Sequence, residues 1–202
     1  MADSNKEFIQ ELIEKKILKK KFKHVFEEID RENFVPDFLK SYAYEDIVLH
    51  IGNSQSLNQT STIAYLIETL SPKKGDVVLE IGTGTGYQTA LISKMIGSSG
   101  RIKTYEIFKD ICFSAKKKLK DYKNVEVILG EGLNQDISSF DKIIINASLE
   151  QIPKELLDNI KEKAVLVVPV GNFIQQIIRI TKKEGKIYKD KLREFKFSSL
   201  IS

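Results

Sequence analysis

The chain has 202 residues, with 32 Lys and Arg against 28 Asp and Glu, a formal charge of +4 at pH 7. That length allows a substantial core in one domain with an appendage, and so small a charge excess gives no ground for a nucleic-acid partner. The single cysteine, Cys112, excludes an intrachain disulfide and a cysteine metal cluster; no apolar run spans a membrane and Met1-Ala2-Asp3-Ser4-Asn5 does not lead into an apolar core, so a cytoplasmic location is expected.

Phe8, Ile9, Leu12, Ile13, Ile17, Phe22, Val25, Phe26 and Ile29 recur mostly at three- and four-residue steps, the pattern of amphipathic helices broken near Leu18 to Lys21. Pro36 interrupts that pattern, and residues 31–59 keep no steady period. So long an irregular stretch reads as a binding lid or loop. Thr60 to Leu70 reads as a helix, ended by Ser71-Pro72.

From Asp76 onward strands and helices alternate. Strands are expected at 76–81, 101–106, 125–129, 141–146 and 164–169, and helices at 86–96, 108–120 and 153–161. Short aliphatic runs separated by such helices predict a parallel sheet covered on both faces. Phe173 to Thr181 and Ile187 to Phe197, joined by Lys183-Glu184-Gly185, predict a terminal hairpin.

The chemistry concentrates where Val77-Val78-Leu79-Glu80-Ile81 runs into Gly82-Thr83-Gly84-Thr85-Gly86. A glycine-rich turn between strand and helix lets the backbone approach a nucleotide-like ligand. The spacing is not the dinucleotide fingerprint, and no Gly-Lys-Ser/Thr follows to hold phosphate. Glu80 would repel a pyrophosphate and suit a cation, which disfavours NAD. Three more elements fall at successive strand ends: Glu106, able to accept from both ribose hydroxyls; Gly130-Glu131-Gly132, with Glu131 suited to an adenine amine; and Asn146, placed for the amino acid part of a cofactor. Together they point to a nucleoside cofactor. His24 and His50 do not make a metal site; His24 reads as a helix-face residue, and His50, beside the loop that follows it, as a structural or surface residue, with substrate contact the alternative. Lys116-Lys117-Lys118 reads as a solvated helix face. Lys19-Lys20-Lys21 invites an RNA reading, but no aromatic platform is interleaved with it.

Phe34-Val-Pro-Asp37, Tyr42-Ala-Tyr44-Glu-Asp46, Ile51-Gly52-Asn-Ser-Gln55-Ser-Leu-Asn-Gln-Thr60 and Leu79-Glu-Ile-Gly-Thr-Gly-Thr-Gly-Tyr-Gln88 closely resemble the protein-L-isoaspartate O-methyltransferase family. The likeness continues through Asn124-Val125, Phe140-Asp141, Ile152-Pro153 and Val168-Pro169-Val170-Gly171, over roughly residues 20–200. It implies a class I methyltransferase: a Rossmann-like α/β fold with a doubly wound, mostly parallel seven-stranded sheet, a C-terminal hairpin and an N-terminal helical extension. One domain over 1–202 is expected, with 1–59 a cap and substrate loop and 60–202 the cofactor-binding core and hairpin. The implied reaction moves a methyl group from S-adenosyl-L-methionine to the α-carboxylate of L-isoaspartyl residues in damaged proteins; the ester then cyclises to a succinimide. The implied cofactor set is Glu80, Gly82, Thr83, Gly84, Gly86, Glu106, Gly130, Glu131, Gly132 and Asn146, with no metal.

The substrate loop departs from the family pattern. Ser56 stands for a threonine, Asn58 for a serine, Thr60 for a proline, Ser54 for a glycine and His50 for a proline, while Gly52 and Gln55 match. Glu131 stands for an aspartate. Thr60 in place of proline is expected to loosen the loop. A carboxylate acceptor is already ionised near neutral pH and needs no general base, so Ser56 and Asn58 are expected to steer it, with Gln55 as a tether to the cofactor. No membrane or specific nucleic-acid partner is implied, and a monomer is the default. The alternatives are a methyltransferase diverged to another acceptor such as RNA, or a non-catalytic cofactor binder.

Overall fold

The protein is described by a computed structural model, whose described residues are 2–197. Helices α1 (Asn5–Glu14) and α2 (Lys23–Glu28) form the N-terminal extension. Ser4 caps α1 by accepting from the Glu7 N–H, and the chain turns sharply at Lys16, whose φ is 57°. Asn5 ties the two helices together, donating to the Phe26 carbonyl at 2.9 Å and the Glu27 carbonyl at 3.1 Å.

The stretch read as irregular is built from short elements. Two 3₁₀ helices, Arg31–Phe34 and Asp37–Tyr42, precede an antiparallel hairpin of β1 (Leu49–Gly52) and β2 (Gln55–Leu57). Its turn needs left-handed backbone at Asn53 (φ 50°) and Ser54 (φ 56°), the geometry that matches the twist of paired strands. Helix α3 (Thr60–Leu70) follows at once. Asp46 caps it from a distance: its carboxylate accepts from the Ser61 N–H at 2.9 Å, and its carbonyl accepts from the Gln59 side chain at 2.7 Å.

The rest is an α/β sheet of seven strands. In chain order these are β3 (Val77–Ile81), α4 (Tyr87–Ile96), β4 (Arg101–Glu106), α5 (Lys109–Lys118), β5 (Val125–Leu129), β6 (Lys142–Ile145), α6 (Lys154–Asp158), β7 (Val165–Val170), β8 (Gln175–Lys183) and β9 (Lys186–Phe195). The spatial order is β5-β4-β3-β6-β7-β8-β9, parallel from β5 to β7 and antiparallel thereafter. The hairpin therefore extends the sheet. The order in which strands are added to the sheet reverses between the parallel β3 and β6, so the carboxyl ends of β3, β4 and β6 open a crevice there.

Alternate strand residues feed two cores. Val78, Ile102, Ile144 and Val167 pack with the helical side, including Phe26, Leu66, Leu91 and Ala115. Leu79, Ile143, Leu166 and Ile178 face the other way, onto Phe140, Leu156 and Ile160. Among the described residues that second face carries the short α6, the loop between β5 and β6, and Leu149 and Ile152 after β6, so cover on the two faces is unequal.

Arg31 holds the chain on both sides of the β1–β2 hairpin. It is wholly buried, and its guanidinium donates to four main-chain carbonyls: Ala43 at 2.9 Å, Glu45 at 2.7 Å, Ile47 at 3.2 Å and Asn58 at 3.3 Å. Burial lowers its pKa, opposed by Tyr87 and Asp46 nearby, and the group stays cationic. The expectation that Thr60 loosens the loop meets a different design, in which Arg31 and Asp46 hold both ends of the hairpin. The Thr60 hydroxyl is itself buried with no partner among the described residues.

Two stability predictions follow from this anchoring. Arg31→Leu leaves buried carbonyls without donors and should cost about 3 kcal/mol or more in urea unfolding; a loss near zero would mean that the loop stands without it. Thr60→Pro places proline at the first helical position after an extended Gln59 (φ −52°, ψ 144°). It should stabilise the protein by about 0.5–1 kcal/mol.

Candidate functional site

A cleft of about 970 Å³, counting its open mouth, lies over the crevice between β3 and β6. Its lining includes Gln55, Ser56 and Asn58 from the hairpin region, Gly82, Thr83 and Gly84 after β3, and Glu106 at the end of β4. Gly130, Glu131 and Gly132 after β5, and Asn146 after β6, complete the set. Two residues expected in contact with a ligand, Glu80 and Gly86, do not line it.

Glu80 lies beneath the floor, fully buried. Its Oε2 accepts from the Thr89 hydroxyl at 2.5 Å and the Thr104 hydroxyl at 2.7 Å; its Oε1 accepts from the side-chain amides of Gln88 at 3.1 Å and Asn146 at 3.2 Å. Burial raises its pKa, and these four donors oppose the rise. All of its acceptor positions are taken, so it is free for neither a ligand nor a cation. Its work is to set other groups. Thr104 gives its hydrogen to Glu80, so the Thr83 hydroxyl, 2.7 Å away, donates to Thr104. Asn146 also donates to the Gly82 carbonyl at 2.9 Å and accepts from Gln88 at 2.8 Å.

The glycines divide in the same way. At Gly84 (φ 54°) a Cβ would meet nothing within 4 Å, which makes it the open approach to a ligand. At Gly86 (φ 87°) a Cβ would come within 2.9 Å of Leu119 Cδ1, so that glycine seats α4 against α5's end. Gly132, in the cofactor set that the resemblance implies, lines the cleft, and a Cβ there would lie 2.8 Å from Ile81 Cγ1 and 3.1 Å from Tyr105 Cβ. Packing requires it.

Glu106 is oriented for a diol. Its Oε2 accepts from the Gly84 N–H at 2.9 Å and its Oε1 from the Phe108 N–H at 3.1 Å. Each oxygen keeps one further acceptor position, and the residue lines the cleft. Ile107, Phe108 and Leu133 supply apolar wall beside it. Glu131, exposed, accepts from the Asn134 amide at 2.9 Å. On the opposite side the Ser56 hydroxyl is 3.1 Å from His50 Nδ1, and the Gln55 amide reaches the Asn53 carbonyl at 3.4 Å. The Asn58 main chain is held by Arg31.

Sequence reasoning missed Arg31, Gln88, Thr89 and Thr104. Arg31 stands in Asp30-Arg31-Glu32, which reads as solvated surface. Thr104 carried a signal, since two-residue alternation puts it on the same buried face of β4 as Ile102.

Adding a methyl group separates the two kinds of glycine. Gly132→Ala drives a methyl into Ile81 and should lower stability by about 1–3 kcal/mol, whereas Gly84→Ala meets only the backbone cost of a left-handed position, about 1 kcal/mol. Equal melting behaviour of the two variants would contradict this division.

Residues 3–202 match the family model described as protein-L-isoaspartate(D-aspartate) O-methyltransferase. A Methanococcus aeolicus protein-L-isoaspartate O-methyltransferase is 38% identical over 177 residues, covering 86% of this chain and 82% of its own. The Thermosipho melanesiensis protein of the same name is 36% identical, covering 86% and 90%. A solved protein-L-isoaspartate O-methyltransferase superposes with a TM-score of 0.85 at 27% identity, over 98% of this chain and 66% of that one. A Plasmodium falciparum structure in complex with S-adenosyl-L-homocysteine shares the fold, with a TM-score of 0.82 at 22% identity over 99% of both chains. The chain belongs to the protein-L-isoaspartate(D-aspartate) O-methyltransferase family.

Proposed function

We infer that this chain transfers a methyl group from S-adenosyl-L-methionine to the α-carboxylate of L-isoaspartyl residues in damaged proteins, with Ser56 and Asn58 steering the acceptor. The observation that carries this reading is one cleft with two unlike sides. Glu106 offers two free acceptor positions on one side, and a hairpin bearing Ser56 forms the other.

The residues fit the nucleoside donor. Glu106 suits the two ribose hydroxyls, Gly84 leaves the backbone open beside it, and Ile107, Phe108 and Leu133 offer apolar surface to a base. Glu131 stands where a base amine can donate to it. Gly82 and Asn146, fixed through Glu80, close the end that would take the amino acid part. When bound, the donor supplies an electrophilic methyl group on a sulfonium.

The acceptor side needs only to position. A carboxylate is ionised at neutral pH and nucleophilic without a base. Ser56 and Asn58 can donate neutral hydrogen bonds that orient one carboxylate oxygen and leave its charge available. A cationic clamp would instead stabilise the ground state. Arg31, the buried cation that anchors the loop, has its Nη atoms turned to main-chain carbonyls.

Incubation with methyl-labelled S-adenosyl-L-methionine should label an isoaspartyl peptide, but not the matching aspartyl peptide, with an ester released as volatile methanol in base. Labelled total RNA, or tight cofactor binding with no ester, would overturn the reading. Ser56→Ala should cost more in turnover than in cofactor affinity. Glu106→Ala should weaken S-adenosyl-L-homocysteine binding by about 1.5–3 kcal/mol in calorimetry; unchanged affinity would remove Glu106 as the ribose ligand.

A further inference from the structure

We propose that His50 is a positioning residue for the acceptor: its Nδ1–H donates to Ser56 Oγ and thereby turns the single Ser56 hydrogen toward the substrate carboxylate. This inference rests on the reading of Ser56 as an acceptor ligand. His50 and Ser56 are directly opposite partners in the β1–β2 hairpin, and Nδ1 lies 3.1 Å from Oγ. The hairpin register is fixed from outside the pair. Leu49 and Leu57, the neighbouring partners, are both buried, and Arg31 and Asp46 anchor the flanking chain.

The logic is that of one hydrogen and two claimants. A serine hydroxyl donates once and accepts through its lone pairs. If Nδ1 is bare, it takes the Ser56 hydrogen, and Ser56 then presents lone pairs to an anion. If Nδ1 carries the hydrogen, the ring donates to Oγ and the Ser56 hydrogen is released to the carboxylate. An anionic acceptor in the cleft therefore selects the Nδ1–H form. His50 is exposed, so its Nε2 is free to exchange with water and the ring can change form without disturbing the core. Without a partner at Nδ1, the Ser56 hydroxyl rotates among its staggered positions. The expected loss is in acceptor binding, because the donor nucleoside is held by Glu106 on the other side of the cleft.

The test is steady-state kinetics on an isoaspartyl peptide with wild type, His50→Phe, His50→Asn, Ser56→Ala and His50→Phe/Ser56→Ala. Asparagine can place an amide N–H near the position of Nδ1; phenylalanine cannot. His50→Phe should raise KM for the peptide about 3–10-fold, the range of one hydrogen bond. Its kcat should stay within about twofold, and its affinity for S-adenosyl-L-homocysteine should not change. His50→Asn should recover most of the KM, and the double variant should be no worse than Ser56→Ala, since a residue acting through Ser56 has nothing left to act on. A normal KM in His50→Phe, equal impairment in His50→Asn, or full additivity in the double variant would each overturn the proposal with the methyltransferase reading intact. No ester from the wild type would remove both.

Discussion

Glu80 sits in the middle of the sheet with every acceptor position of its carboxylate filled by a neutral donor, and the four donors come from three parts of the site. Thr104 belongs to β4, Gln88 and Thr89 to α4, and Asn146 to the segment after β6. A buried carboxylate left partly satisfied would be costly, so the four partners are held together by the expense of losing any one. Through Asn146 the constraint reaches the Gly82 carbonyl, and through Thr104 it reaches Thr83, both facing the cleft. The floor of the cofactor side is set from below.

Arg31 does the complementary work on the hairpin side of the cleft. It too is buried, and its hydrogen bonds go to neutral groups, four carbonyls spread from Ala43 to Asn58. Those carbonyls flank the hairpin rather than belonging to it, so the hairpin is carried as a unit to the edge of the cleft. A two-residue turn with left-handed Asn53 and Ser54 completes it. This explains how the loop is held with threonine at position 60 in place of the proline that the resemblance implies: the restraint is tertiary. His50 and Ser56 lie within the carried unit, while Asn58 lies just past it and is itself held by Arg31.

What could be read from the sequence follows the range of the interactions. The parallel strands, the glycine turn and Glu106 were legible because a strand end followed by glycine or by a helix start is a local pattern. Glu80 was legible as unusual but assigned to the ligand, because its partners lie 8, 9, 24 and 66 residues away and no local pattern announces them. Arg31 was invisible for the same reason, with bonds spanning 12 to 27 residues. The hairpin hid because strands of four and three residues are too short to show alternation, and its turn lacks the usual Asn-Gly. Gly86 and Gly132 looked like ligand glycines because sequence does not reveal whether a missing Cβ faces a cavity or a neighbour.

Two buried charges, one governing each side of a shared cleft, make a claim that a single comparison can test: calorimetry with S-adenosyl-L-homocysteine and peptide kinetics, both on Glu80→Gln and Arg31→Lys. Gln at position 80 turns an amide hydrogen toward groups that themselves donate, so nucleoside affinity should fall about tenfold or more. Lys at position 31 cannot span four carbonyls, so peptide KM should rise with nucleoside affinity within about twofold of the wild type. Unchanged nucleoside affinity in Glu80→Gln, or a nucleoside loss in Arg31→Lys as large as its peptide loss, would contradict the account.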